Sequence, residues 1–210
     1  MTKPPPVPGP VPRLIPKLVP KLVLAIGCAI TLPAYTKIMA RIGSGTPPAM
    51  AATAQQADLV VVSKPDRQMV LMRQGQILKR YPVTFGAHWQ DGPKQVEGDE
   101  RTPEGSYHID WRNSQSMAHL SLHISYPDAT DRARAAAAGH DPGGNIMIHG
   151  LPNGWGALGR LHRLWNWTDG CVAVTNAQME EIWSLVPNGT RVVLSDAATD
   201  RIVAAHRPQP

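Results

Sequence analysis

Thr168-Asp169-Gly170-Cys171-Val172-Ala173-Val174 carries a turn straight into an apolar run, and Asn145-Ile146-Met147-Ile148-His149-Gly150 is an apolar run that delivers a histidine to a glycine. Read as two short strands, these stretches set a thiol at the start of one and an imidazole at the end of the other. A thiol attacks as thiolate, and a free pKa of about 8.5 leaves little of that form at neutral pH unless a base or a positive dipole stands close. His149 is therefore the candidate base and Cys171 the candidate nucleophile. A free cysteine is ordinarily a small buried hydrophobe. Cys171 differs in position: it follows a glycine where a loop enters a strand. There the N–H groups of Gly170 and Cys171 can face an oxyanion, a contribution worth about 3 kcal/mol per donor. The other cysteine, Cys28, lies in an apolar N-terminal stretch, so Cys171 has no expected disulfide partner in its own domain.

Outward from this pair the pattern is one of short strands. Leu59 to Ser63 is apolar and β-branched, Met69 to Met72 and Ile77 to Tyr81 flank a turn at Gly75, and Ser106 to Trp111 and Ala118 to Ser125 follow. In the last of these, Leu120, Leu122 and Ile124 alternate with His119, Ser121 and His123, which places both histidines on the polar face. Pro127 to Ala138 reads as a short helix stopped by Gly139. Thr175-Asn176-Ala177-Gln178 has capping-box spacing ahead of a helix whose apolar face is Ile182, Trp183, Leu185 and Val186. Pro187-Asn188-Gly189 then turns the chain into a last strand, Arg191 to Ser195. The expectation is a mainly β domain with two short helices over residues 58–196, large enough for a single core, and a C-terminal tail over 197–210.

The charge distribution separates this domain from what precedes it. No acidic residue occurs before Asp58, and residues 1–57 carry six Lys and Arg, whereas residues 58–210 carry fifteen against sixteen Asp and Glu, a net −1. The high isoelectric point belongs to the leader, which argues against nucleic acid as a partner. Residues 1–21 form a basic tail with eight prolines before residue 21, too many for a helix. Residues 22–36 form an apolar segment suited to a signal peptide or an uncleaved inner-membrane anchor, since a full span needs about 20 residues. Residues 37–57 look like a linker or processing region. Positive charge before the apolar segment puts the domain outside, in the bacterial periplasm.

The strand ending in His149-Gly150, the turn Thr168-Asp169-Gly170-Cys171 and the segment Thr102-Pro103-Glu104-Gly105 together resemble the L,D-transpeptidase catalytic domain, often called the YkuD domain. The resemblance covers roughly residues 58–196 and implies a β-sandwich-like fold. It also implies a Cys171 acylated by a peptidoglycan stem peptide, His149 as its base, a carbonyl near Gly150 orienting that histidine, and acylation by carbapenem-type β-lactams. Many members carry histidine immediately before Gly-Cys and arginine two residues after the cysteine; here Asp169 and Ala173 stand there. Arg160, His162 and Arg163, in the long loop Leu151 to Trp167, are candidates to restore the charge, and Trp155, with Trp165 and Trp167, offers a surface for a sugar or a peptide. His123, Thr168 and Asp169 complete the candidate substrate contacts. His119 and His123 lack a third ligand, and a thiol nucleophile needs no metal, so neither metal nor cofactor is expected. The resemblance implies periplasmic transpeptidation. A hydrolase that trims stems or detaches a wall-linked protein, and an inactive wall-binding module, are the alternatives.

Overall fold

The computed structural model describes residues 32–207. The chain divides into two units at residues 35 and 36. The basic proline-rich tail and most of the apolar segment lie outside the described residues. Residues 32–42 are helical (α1), and among the described residues no helix is long and apolar enough to cross a membrane.

Eight strands follow: β1 (Leu59–Ser63), β2 (Gln68–Arg73), β3 (Gln76–Pro82), β4 (Gly105–Asn113), β5 (Ser121–Ile124), β6 (Met147–His149), β7 (Val172–Ala173) and β8 (Arg191–Ser195). Their order in the sheet is β3-β2-β1-β8-β4-β5-β6-β7, antiparallel except for the β1/β8 and β6/β7 pairs. The chain leaving β3 then bridges β7 and the turn before it, with Thr84 opposite Ala173 and Gly86 opposite Thr168, so the two ends of the order meet and the sheet curls on itself. Inside the curl lies the main core, built from alternate residues such as Val60, Val62, Met69, Leu71, Ile109, Leu122, Ile124, Ile148 and Val172. Helix α3 (Asn176–Leu185) packs Met179, Ile182 and Trp183 into it. The expected capping box is present at its start: Thr175 and Gln178 exchange side-chain and backbone hydrogen bonds. Helix α2 (Ala129–Ala137) opens on a second such box, Asp128 with Asp131.

Three segments differ from the sequence expectation. Residues 197–210, expected as a tail, contain helix α4 (Thr199–Ala205), whose Ile202 and Val203 pack on Leu59, Val61, Val70 and Met72. This second layer explains why every residue of β1 is buried and why its sequence lacks alternation. The α4 start is held by Asp66, whose carboxylate accepts the Thr199 N–H at 2.6 Å. Within 37–57, expected as a linker, residues 43–57 run as a strap with backbone bonds from Gly45 to His119, Ala51 to Ser184 and Ala57 to Leu185. The strand expected from Ala118 begins only at Ser121, because His119 adopts a left-handed conformation (φ 65°). That turns His119 toward Glu180, 2.9 Å from its Nε2, while His123 pairs through Nδ1 with Asp110 at 2.6 Å.

Candidate active site

Strands β6 and β7 run parallel with Ile148 opposite Val172 and His149 opposite Ala173, which sets Cys171 one residue before the paired stretch, level with Met147. Residues two apart in a strand share a face, so Cys171 and His149 project to the same side of the sheet. Both line one cleft of about 620 Å³, with Lys94, Glu97, Gly98, Glu100, Gly143, Gly144, Asn145, Trp167, Thr168 and Asp169.

Cys171 is held by its turn. Thr168 Oγ1 donates to the Cys171 carbonyl at 2.8 Å and accepts the Gly170 N–H at 3.4 Å. Gly170 has φ 117°, and a Cβ there would stand 2.5 Å from the Arg101 carbonyl oxygen, so only glycine fits this close approach. On its far side the turn is braced by residues 84–87: Thr168 N–H donates to Phe85, Ala87 N–H to Thr168, and Thr84 and Ala173 exchange both backbone bonds. The Thr102-Pro103-Glu104-Gly105 segment supports this brace from behind, through Thr102 Oγ1, which accepts the Gly86 N–H at 3.4 Å.

Cys171 is partly exposed, and its Sγ accepts the Met147 N–H at 3.3 Å and lies 3.5 Å from the Asn145 carbonyl oxygen. Burial pushes its thiol up to about 11; the Met147 N–H and the Lys94 charge act against this, and the Asp169 carboxylate adds to it. The resting group is thus a neutral thiol that needs a base. His149 is buried, 7 % exposed, and its Nδ1 lies 2.6 Å from the Gly150 carbonyl oxygen. A carbonyl can only accept, so Nδ1 carries the proton and Nε2 keeps its lone pair. Burial holds the His149 pKa below the ordinary histidine value, with the Gly150 carbonyl opposing. The ring packs edge-on against Trp167, centroids 5.7 Å apart.

The other expected residues are distributed unevenly. Thr168 and Asp169 line the cleft, whereas His123 lies elsewhere, paired with Asp110 and stacked on Trp111. Trp155 and His162 line a second, apolar cavity of about 270 Å³ with Leu151, Pro152, Leu158, Trp165 and Trp167, and Trp167 is the wall common to both. Arg160 is exposed and reaches neither. The cation of the cleft is instead Lys94, 3 % exposed, whose Nζ meets Asp99 at 2.8 Å and the Val96 carbonyl at 3.1 Å. Sequence reasoning missed it because residues 87–101 form a polar loop with no periodicity.

His162 is 1 % exposed, and neither ring nitrogen meets a partner among the described residues. Burial, then the charges of Arg163, His149 and Arg67, bring its pKa down to about 4. The folded chain therefore keeps His149 and His162 neutral, while the unfolded chain takes up protons below pH ~6.5. The part of the stability linked to these two histidines is complete above pH ~6.5 and is lost as the pH falls through the lowered folded-state pKa values. Denaturant midpoints at about pH 7.5 and 4.5 should differ accordingly, and His162→Phe should shrink the difference. An unchanged pH dependence in that variant would mean that His162 does not titrate.

A family model of the L,D-transpeptidase catalytic domain, YkuD, matches residues 57–194. The chain belongs to this L,D-transpeptidase family. Among curated proteins, the Escherichia coli (strain K12) protein YafK is 34 % identical over 98 residues, 45 % of this L,D-transpeptidase-family chain and 32 % of YafK, so the match spans about a third of that relative. Among solved structures, the helical cell shape determining protein Pgp2 from Campylobacter jejuni aligns at 20 % identity and TM-score 0.50, covering 80 % of this chain and 59 % of that one. Bd1075 of Bdellovibrio bacteriovorus aligns at 20 % identity and TM-score 0.50, covering 79 % and 58 %. At this identity the likeness is one of fold: a mainly β architecture with short helices.

Proposed function

We propose that the chain is a cysteine acyltransferase of the bacterial periplasm that acts on peptidoglycan stem peptides. The observation that carries this reading is the buried His149, its Nδ1 proton engaged by the Gly150 carbonyl and its Nε2 left as acceptor, in the same cleft as Cys171. His149 Nε2 takes the thiol proton as Sγ bonds to the carbonyl carbon of the diamino acid in a tetrapeptide stem. The tetrahedral intermediate collapses with cleavage of the amide, and His149 returns the proton to the departing D-alanine amine. An amine then attacks the thioester, loses its proton to His149 and restores the thiol. Gly170 and Cys171 N–H groups are the oxyanion donors in this scheme, and Gly170 must give up its long bond to Thr168 Oγ1 to serve.

A hydrolase, with water in place of the amine, is favoured by one observation. Asp169 is exposed and lines the cleft where many family members carry histidine, and a carboxylate there can orient water. Incubation of the protein with tetrapeptide muropeptides, with and without a diamino acceptor, separates the readings by product mass. Cross-linked dimers mean transferase and trimmed stems mean hydrolase; unchanged material with measurable binding means a binding module and overturns the proposal.

His149→Ala should lower the rate of Cys171 acylation by about 10²–10⁴, the usual worth of general acid–base catalysis. Alkylation of Cys171 by a small reagent at high pH should persist, because that route needs no enzyme base. Equal losses in both assays would mean that the substitution disturbs the fold.

A further inference from the structure

We infer that the segment from Gly156 to Trp165 is a bilayer-contact element that seats the domain on an anionic lipid surface. Residues 151–167 contain no acidic residue, two arginines, four leucines and three tryptophans. Gly156–Leu164 folds as short 3₁₀ turns kinked at Gly159 (φ 48°). They sort these side chains into two sets. Leu158, His162 and Trp155 face the small apolar cavity, while Leu161 and Leu164 stand 58 % and 76 % exposed with Arg160 exposed beside them; Trp165 edges the cavity and is still 49 % exposed.

This exposure is imposed by a pinned backbone. Arg67 donates to the Arg163 carbonyl at 3.1 Å, and Thr84 Oγ1 donates to the Trp165 carbonyl at 3.0 Å. Two leucines and the exposed half of a tryptophan are thus held at the surface at a fixed place, and apolar clusters of this kind on a water-facing surface mark contacts. Tryptophan favours the membrane–water boundary, and arginine lays its stem along apolar surface while its charged end meets anionic headgroups.

The entry of the leader into this unit selects lipid over other occupants. Gly43, at the end of α1, abuts Asn153 at the base of the same loop: a Cβ on Gly43 would stand 2.9 Å from the Asn153 Cβ. Approaching Gly43, α1 exposes Ile38 (58 %) and Ile42 (73 %), and the sequence before it is the basic, apolar leader. The chain that reads as membrane-seeking therefore enters the domain beside the patch. The inference rests on the export reading and not on the chemistry proposed for Cys171.

The test is tryptophan quenching in the full chain, reconstituted in phosphatidylcholine–phosphatidylglycerol vesicles with bromines on the acyl chains at the depth of an interfacial element, about 5–10 Å below the headgroup boundary. Trp165→Phe should lose most of the quenchable emission of wild type, and Leu161→Glu/Leu164→Glu should lose it to the same extent. Both variants should keep the wild-type thermal midpoint, which shows that the fold survives. Quenching equal to wild type in Trp165→Phe would overturn the inference. So would a blue shift of Trp165 emission that grows with protein concentration in the absence of lipid, which would assign the patch to a second copy of the chain.

Discussion

Replacing Cys171 by alanine is expected to reduce turnover of muropeptides by on the order of 10⁶, the scale on which loss of a covalent nucleophile acts. The thermal midpoint should hardly move. Cys171 is partly exposed, and its Sγ makes only a 3.3 Å contact with the Met147 N–H and a 3.5 Å contact with the Asn145 carbonyl. Intact-mass spectrometry supplies the direct check. A reactive carbonyl, whether stem amide or strained lactam, should leave one added mass on wild type and none on Cys171→Ser. An adduct on both proteins would assign the chemistry to another side chain, and activity within tenfold of wild type would remove Cys171 from the mechanism.

The second large effect concerns stability. Lys64 is 1 % exposed, and its ammonium meets Glu104 at 2.6 Å and the Gly92 carbonyl at 3.3 Å. Glu104→Ala strips a buried cation of its counter-charge, and the expected loss is about 3 kcal/mol, the low end for a broken buried pair because the glutamate is a quarter exposed. Pairing it with Lys64→Met should recover much of this, since removing both charges also removes the desolvation penalty. Urea midpoints of the two single variants and the double variant decide the matter. A loss below about 1 kcal/mol for Glu104→Ala would place the pair among ordinary surface ion pairs.

Glu104 also shows how far the chain could be read in advance. The segment Thr102 to Gly105 was legible as a motif, and its role as a brace was not, because Lys64 lies forty positions away with no periodic link to it. Local chemistry read well. The hairpin turn falls where Gln74 and Gly75 take positive φ, and the Thr175 capping box starts α3 where its spacing said it would. The register of β6 and β7 puts His149 and Cys171, both conspicuous in the sequence, on one cleft. Features that depend on a distant partner were opaque: α4 behind β1, the strap over residues 43–57, the left-handed His119, and Lys94 folded into the cleft from a featureless loop. The loop from Leu151 to Trp167 falls between these cases. Its tryptophans were conspicuous, yet only the fold shows that Trp167 is the wall between cleft and apolar cavity while Trp165 edges the cavity half exposed.

The meeting of residues 84–86 with β7 and the turn before it also bears on when the cleft exists at all. Thr84 and Ala173 stand eighty-nine positions apart, so the wall behind Cys171 forms only after most of the domain has been brought together. A chain threaded through a membrane as an unfolded string, as the export reading requires, carries the cysteine without the scaffold that places it in the cleft. Competence is then deferred to the compartment in which the string closes into a ring, and a fragment cut between the two halves of that ring carries no assembled site, whichever half it retains.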